Sequence, residues 1–124
     1  MSQHPIVWVE IPSADRKQSA EFYGDLFGWQ IDNSMDAMNY TMFTAGDGPG
    51  GGFPELSDGF EAGDVMILVG TEDIDTSLSR AESLGGKTVV PKTEIPGNGW
   101  YAVFEDPTGN NIGLFSALED AAAD

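Results

Sequence analysis

The sequence predicts one small α+β domain made of two copies of a β-α-β-β-β unit. Three observations lead to this fold class. Runs of β-branched and aromatic residues alternate with segments of helical spacing. The same order of elements occurs twice along the chain. A length of 124 residues suits one domain, and a second independent core has no room.

The first half begins with a strand. Residues 6–11 are β-branched and aromatic, and the side-chain oxygens of residues 13–15 can cap a helix that follows. Gly28 stands where a helix ends in a left-handed residue. Further strands are predicted at 29–32 and 40–44, so the first half reads as strand, helix and strands.

The second half repeats this order. A strand is predicted at 65–69, a helix over 73–84, and a helix stop at Gly85 and Gly86. Residues 87–90 and 100–104 follow as strands. The second half therefore contains the same elements as the first.

The two halves also match residue by residue. A shift of 58 pairs Asp15 with Asp73, Ser19 with Ser77, Leu26 with Leu84 and Gly28 with Gly86. After three inserted residues the shift is 61, which pairs Tyr40 with Tyr101, Phe43 with Phe104, Gly48 with Gly109 and Gly52 with Gly113. Two common helix caps could coincide by chance, but the shared order of elements on both sides favours a duplication.

These matches set the predicted boundaries within the single domain of residues 1–124. The first unit covers 5–53, an acidic and glycine-rich connector covers 54–63, and the second unit covers 64–116. We expect a frayed tail at 117–124.

One glycine pattern in the first unit resembles a nucleotide-binding motif. The spacing Gly46-x-Gly48-x-x-Gly51 matches the dinucleotide fingerprint. Pro49 interrupts it, and no helical pattern follows, so these residues are predicted to form a loop. The turn-forming residues Pro96-Gly97-Asn98-Gly99 predict either a tight turn or a mobile loop at a pocket mouth.

The charge and composition exclude several partners. With 21 Asp and Glu against 5 Lys and Arg, the net charge is −16, which opposes binding to nucleic acid and to anionic membrane surfaces. The same charge either favours a cationic ligand or only keeps the surface soluble, including in salt. The absence of cysteine excludes disulfides and thiolate metal sites, and a cytoplasmic location is expected.

Three strings occur in order around the repeat. They are Phe22-Tyr23 followed by Leu26-Phe27-Gly28-Trp29, then Asp73-Ile74-Asp75, then Asp106-Pro107-Thr108-Gly109-Asn110. Together they resemble the glyoxalase, bleomycin-resistance and extradiol dioxygenase superfamily, also called vicinal oxygen chelate, over residues 5–116. The resemblance implies that the strands curl into a half-barrel with the helices on its outer face, and that the protein is a homodimer.

Metalloenzymes of this superfamily carry one ligand on the first and one on the last strand of each unit. Those positions correspond here to Trp8, Gly52, Met66 and Gly113. None of these side chains can bind a hard divalent metal, and the one histidine, His4, lies near the chain start. We therefore expect no metal and no other cofactor.

Aromatic and thioether side chains could instead line an apolar pocket, although most such residues belong to ordinary cores. The predicted ligand-binding set is Trp8, Glu10, Met42, Phe53, Met66, Trp100 and Phe115. Glu10 lies two positions from Trp8, so both side chains share a sheet face. A buried Glu there is a candidate general acid or base. The simpler interpretation is that it meets a backbone donor or an Arg, or lies at the rim.

The sequence thus predicts a metal-independent protein that binds a small organic molecule in its cupped sheet. The acidic charge agrees with a cationic ligand without requiring one. The alternative is a divalent-metal-dependent lyase, isomerase or dioxygenase of the same superfamily, since fold alone does not decide function. The sequence does not identify the ligand or decide whether a reaction is catalysed.

Overall fold

The structure, a computed structural model, describes residues 3–118. The chain divides into two compact units. Residues 8–66 form one, here called the N-terminal unit. Residues from Ile67 onward, with the chain start as far as Val7, form the other, here called the C-terminal unit.

The N-terminal unit has a mixed sheet with one helix packed on it. In chain order, its elements are β1 (Ile6–Glu10), α1 (Arg16–Phe27), β2 (Gln30–Asp32), a 3-10 helix (Asp36–Met38), β3 (Tyr40–Thr44) and β4 (Gly50–Pro54). The strand order is β2-β3-β4-β1, with β1 and β4 parallel and the other neighbours antiparallel. Helix α1 contacts β2, β3 and β4.

The C-terminal unit has the same plan. Its elements are β5 (Met66–Gly70), α2 (Ile74–Ser83), β6 (Lys87–Ile95), β7 (Gly99–Glu105) and β8 (Asn111–Ala117). The strand order is β5-β8-β7-β6, with β5 and β8 parallel. The prediction of an α+β fold made of two β-α-β-β-β units is therefore confirmed.

Each helix covers the apolar face of its own sheet. In the N-terminal unit, Phe43 and Phe53 are buried and stack with Tyr23 and Trp29, at centroid distances between 4.4 and 5.7 Å. In the C-terminal unit the core consists of Ile74, Leu78, Ala102 and Leu114, with Val69, Trp100 and Phe104 packed against it. The opposite face of each sheet carries a separate set of side chains.

The strand register reproduces the shifts found in the sequence. Glu10 and Met42 both pair with Gly52, and the residues 58 and 61 positions later, Leu68 and Val103, both pair with Gly113. The helix starts match too. Asp15 and Asp73 each accept a hydrogen bond from the backbone N–H three residues on, both at 3.0 Å. The repeat extends to individual pairings.

Two buried hydroxyls anchor the helix starts in the same way. Ser13 lies 2.6 Å from the Ser19 hydroxyl in the N-terminal unit, and Thr71 lies 2.8 Å from the Ser77 hydroxyl in the C-terminal unit. Both Ser13 and Thr71 are buried. A hydroxyl pair thus joins the end of a strand to the first turn of the helix after it.

The predicted glycine loop needs correction. Gly51 does not lie in a loop but in the middle of β4, where it is buried. A side chain at this position would meet the carbonyl oxygen of Val9 and the ring of Phe43. The bare backbone therefore allows β4 to lie close to its neighbours, and glycine here serves packing rather than flexibility.

The segment boundaries also differ in detail. Pro54, predicted to open the connector, is the last residue of β4, and Ala117, predicted to open the tail, is the last residue of β8. Residues 119–124 of that tail lie outside the described residues. Residues 96–98 form a tight turn in which the Asn98 N–H donates to the Ile95 carbonyl. Within residues 3–118, no helix is long and apolar enough to span a membrane.

Candidate functional site

The sheet of the N-terminal unit has one face that α1 does not cover. Because side chains alternate along a strand, this face carries Trp8 and Glu10 from β1, Tyr40 and Met42 from β3, and Gly52 from β4. We call it the site face. One row across the sheet runs through Asp32, Met42, Gly52 and Glu10, which pair in that order.

Three side chains on the site face form a continuous hydrogen-bond chain. The indole Nε1–H of Trp8 donates to the Tyr40 hydroxyl oxygen at 2.8 Å. The Tyr40 hydroxyl donates to Glu10 Oε2 at 2.6 Å. These residues lie on two different strands and up to 32 positions apart in sequence. The pairing of β1, β4 and β3 is what brings them together.

Burial changes the acid-base properties of this chain. Desolvation raises the pKa of Glu10 above its usual value, and the hydrogen bond from Tyr40 and the nearby indole N–H of Trp8 only partly oppose this. Desolvation and the neighbouring Glu10 carboxylate raise the pKa of Tyr40. Tyr40 therefore remains a neutral hydrogen-bond donor, while Glu10 is a carboxyl group that can exchange a proton or accept a hydrogen bond.

Gly52 and Tyr40 share one space. A Cβ atom built at Gly52 would overlap the hydroxyl and ring of Tyr40. The hydroxyl group of Tyr40 thus occupies the volume that a side chain at 52 would need. In the C-terminal unit the counterpart Gly113 shows a similar arrangement, since a Cβ there would meet the side chain of Leu68.

The residues present do not fit the metal centre that the superfamily implies. Trp8 and Gly52 offer no side-chain ligand, and a longer side chain at 52 would displace Tyr40. Over residues 3–118, no three His, Cys, Asp or Glu side chains come together in a group that could hold a metal ion. Of the two family positions of this unit, one carries Trp8, which begins the hydrogen-bond chain to Tyr40 and Glu10, and at the other the Tyr40 side chain occupies the space beside Gly52.

The structure brings part of the predicted set together. Trp8, Glu10 and Met42 share the site face, as expected for the first two from their spacing. Phe53 does not join them, because it lies on the opposite face and stacks on Tyr23 of α1 at 5.7 Å. It is fully buried and belongs to the core.

The remaining predicted residues belong to the other elements. Trp100 packs against the Ile74 and Leu78 core under α2, with Lys92 over its ring at 5.1 Å. Its predicted place in a ligand pocket stays a prediction. Met66 is the first residue of β5. Phe115 lies on β8 and pairs with Tyr101 of β7. Met66 and Phe115 are both half-buried.

Sequence reasoning missed Tyr40 as a member of the site. It served only as a marker of the repeat, although its spacing from Met42 already places both on one face. For Glu10, the sequence left open a backbone donor, an Arg or a place at the rim, and the structure shows a tyrosine hydroxyl as its partner. Asp32, in the same row, was also missed.

A groove of about 790 Å³ lies elsewhere in the N-terminal unit, between the start of α1 and β2 and β3. Arg16 lines it and donates from Nη1 to Thr41 at 2.9 Å and to Asp36 at 3.3 Å. Since these two acceptors already hold the guanidinium end, we place the candidate site on the site face.

Comparison with known proteins agrees with this architecture. A family model described as "Bleomycin resistance protein-like N-terminal" matches residues 5–46. The putative glyoxylase CFP32 of Mycobacterium tuberculosis is 26% identical over 116 residues, covering 89% of this chain and 44% of CFP32. The chain is thus similar to members of the glyoxalase, bleomycin-resistance and dioxygenase superfamily.

A second curated relative matches over a similar share of its length. The anthracycline biosynthesis protein DnrV of Streptomyces peucetius is 29% identical over 126 residues, covering 82% of this chain and 43% of DnrV. The chain thus spans less than half the length of these relatives.

Solved structures share the fold. Methylmalonyl-CoA epimerase from Mycobacterium tuberculosis matches with a TM-score of 0.72 at 17% identity, covering 96% of this chain and 91% of that one. A superfamily member from Vibrio splendidus 12B01 matches with a TM-score of 0.66 at 14% identity, covering 92% of this chain and 99% of that one.

Proposed function

We propose that the protein is a cytoplasmic, metal-independent binding protein of the bleomycin-resistance type, which holds a small organic molecule against the site face. The observation that supports this most is the hydrogen-bond chain from Trp8 through Tyr40 to Glu10. Trp8 corresponds to one ligand position of the superfamily's metalloenzymes, and Tyr40 occupies the space beside Gly52, which corresponds to another. An indole ring and the Met42 thioether beside one carboxyl group suit an aromatic body with a single polar end.

The test is a ligand screen that follows tryptophan emission and thermal stability together. The panel consists of aromatic molecules of one to four rings, including an anthracycline, each with and without EDTA. We expect at least one saturable change in emission, a matching rise in melting temperature, and no effect of EDTA.

Matched variants locate the response. Trp8→Phe should abolish the emission change, whereas Trp100→Phe, in the core of the C-terminal unit, should keep it. A binding event that EDTA removes, or stoichiometric zinc, nickel, manganese or iron in the purified protein, would restore the metal-dependent enzyme as the better assignment.

We also propose that two copies of the chain associate. The curated relatives are more than twice as long as the part this chain covers, so each has room for a second module of this size. A homodimer would supply the second module from another chain. Light scattering should give a mass near two chains, and a mass near one chain would contradict this proposal.

A further inference from the structure

The hydrogen bonds on the site face all run in one direction. An indole N–H can only donate, so the Trp8 bond to Tyr40 fixes the Tyr40 oxygen as its acceptor. Tyr40 has one hydroxyl proton, and that proton goes to Glu10. Both donors of the chain are therefore used within the protein, and both point toward the carboxyl group.

The group of this hydrogen-bond chain that remains available to a ligand is a hydrogen-bond acceptor, Glu10 Oε1. Glu10 Oε2 receives the Tyr40 proton, and no described residue donates to Oε1. Among the described residues no buried side-chain oxygen or nitrogen lacks a hydrogen-bond partner, so Oε1 keeps contact with solvent. The half-buried Glu10 thus presents one free carboxylate oxygen on the site face.

The surroundings of this oxygen add no positive charge. The row through Glu10 contains Gly52, Met42 and Asp32, of which only Asp32 is charged, and it is negative. The cationic residues of this unit, Arg16 and Lys17, lie on α1, which packs on the other face of the sheet. A ligand must bring both the donor and the compensating charge.

We infer that the ligand places a protonated nitrogen, such as that of a primary amine, on Glu10 Oε1 and rests an aromatic body on Trp8 and Met42. This inference rests on the proposed function and specifies its ligand class. A charge-assisted hydrogen bond to the half-buried carboxylate and the attraction of a cation to the indole face both favour it. Carboxylates and phosphates are rejected, since they would meet an acceptor with no donor.

Tyr40 is then a positioning residue. Its hydroxyl holds Glu10 Oε2 and at the same time engages the indole N–H of Trp8. By occupying these two groups, it keeps the Trp8 donor away from an anionic ligand. Its removal should change the selectivity of the site as well as its stability.

The experiment uses matched triplets of aromatic probes. Each triplet carries an amine, an alcohol or a carboxylate on the same ring system, from one ring to four, and binding is measured by calorimetry and by Trp emission at neutral pH. For at least one ring system, the amine should bind about tenfold more tightly than the alcohol. The carboxylate should show no saturable binding.

Three variants separate the roles. Glu10→Gln should bring the amine and the alcohol to similar affinity. Tyr40→Phe should narrow the preference for amine over carboxylate, because it frees the Trp8 N–H to donate to a ligand. Tyr101→Phe, the counterpart 61 positions later, should leave the order of the three probes unchanged.

Three results would contradict the inference or the proposed function. A carboxylate or alcohol that binds as tightly as its amine overturns the inference and leaves the proposed function standing. A preference that survives Glu10→Gln unchanged also overturns the inference, since the charge would then be recognised elsewhere. No response to any triplet, with the protein shown folded by circular dichroism, overturns both.

Discussion

The two units share their strand pairings and helix starts but differ in the chemistry of the face away from the helix. Strand pairings, helix caps and buried hydroxyl pairs recur at shifts of 58 and 61. Yet the positions of Trp8 and Glu10 are occupied in the C-terminal unit by Met66 and Leu68, and the carboxylate has no counterpart. Duplication has kept the contacts that hold helix to sheet, while the face away from the helix has changed its chemistry.

The largest expected effect tests whether strand packing in the N-terminal unit requires a glycine at position 51. Gly51→Ala would push a Cβ against the Val9 carbonyl. Because this neighbour is backbone, removing the clash requires the two strands to move apart. The equivalent residue 61 positions later is Ile112. We expect a loss of about 3 kcal/mol in the free energy of unfolding, measured in urea.

The control is Gly48→Ala, whose Cβ would lie at an ordinary 3.4 Å from the Ala45 carbonyl. It should change the free energy of unfolding by less than about 0.5 kcal/mol. Equal effects of the two substitutions would mean that close approach at Gly51 is not a packing requirement.

The second effect distinguishes two matched tyrosines. Tyr40→Phe removes the hydroxyl between Trp8 and Glu10 and leaves a half-buried donor and acceptor without that partner, which should cost about 2 kcal/mol. Tyr101→Phe removes a hydroxyl with no side-chain partner among the described residues and should be nearly neutral. Urea unfolding of both variants makes the comparison, and similar losses would contradict the role of the Tyr40 hydroxyl.

The third effect should be the same in both units. Asp15→Ala and Asp73→Ala each remove an N-cap bond of 3.0 Å and should each cost about 1 kcal/mol. Asp25→Ala corrects for the lost negative charge, because Asp25 lies in α1 and caps nothing. If only one of the two substitutions lowered the stability, the two caps would share their geometry but not their contribution to the free energy of unfolding.

The smallest effect concerns pH. The pKa of Glu10 is raised in the folded state, so between its ordinary value and that raised value the folded protein holds more protons than the unfolded one. Its contribution to stability is therefore complete below the ordinary pKa and declines as the pH rises through this window. The difference in melting temperature between wild type and Glu10→Gln, followed against pH, should show this decline, and a rise would reverse the assigned direction.

Much of the fold could be read from the sequence because it depends on local patterns. The caps at Asp15 and Asp73 and the two shifts were visible as residue matches. The strand β4 was not, because Gly50, Gly51 and Gly52 carry no strand signal of their own. In the structure, side chains of the neighbouring strands, such as Tyr40, occupy the space beside these glycines.

The site could be predicted only in part, for a related reason. Trp8 and Glu10 share a face by simple alternation within one strand. Phe53 and Trp100 were included in the same ligand-binding set although both pack on the helix side of their sheets, because which alternate residues face the helix depends on where the strands begin. The partner of Glu10 lies 30 residues away in sequence, and only the strand register selects Tyr40.

The division of the chain into units has a consequence for synthesis on the ribosome. Residues 8–66 are contiguous, so every contact of the N-terminal unit becomes available once this stretch has emerged. The other unit needs Ile6 and Val7 as well as β8, and must wait until residue 117 has emerged. Since early segments fold first during translation, the carboxylate site would be assembled before the second half has left the exit tunnel.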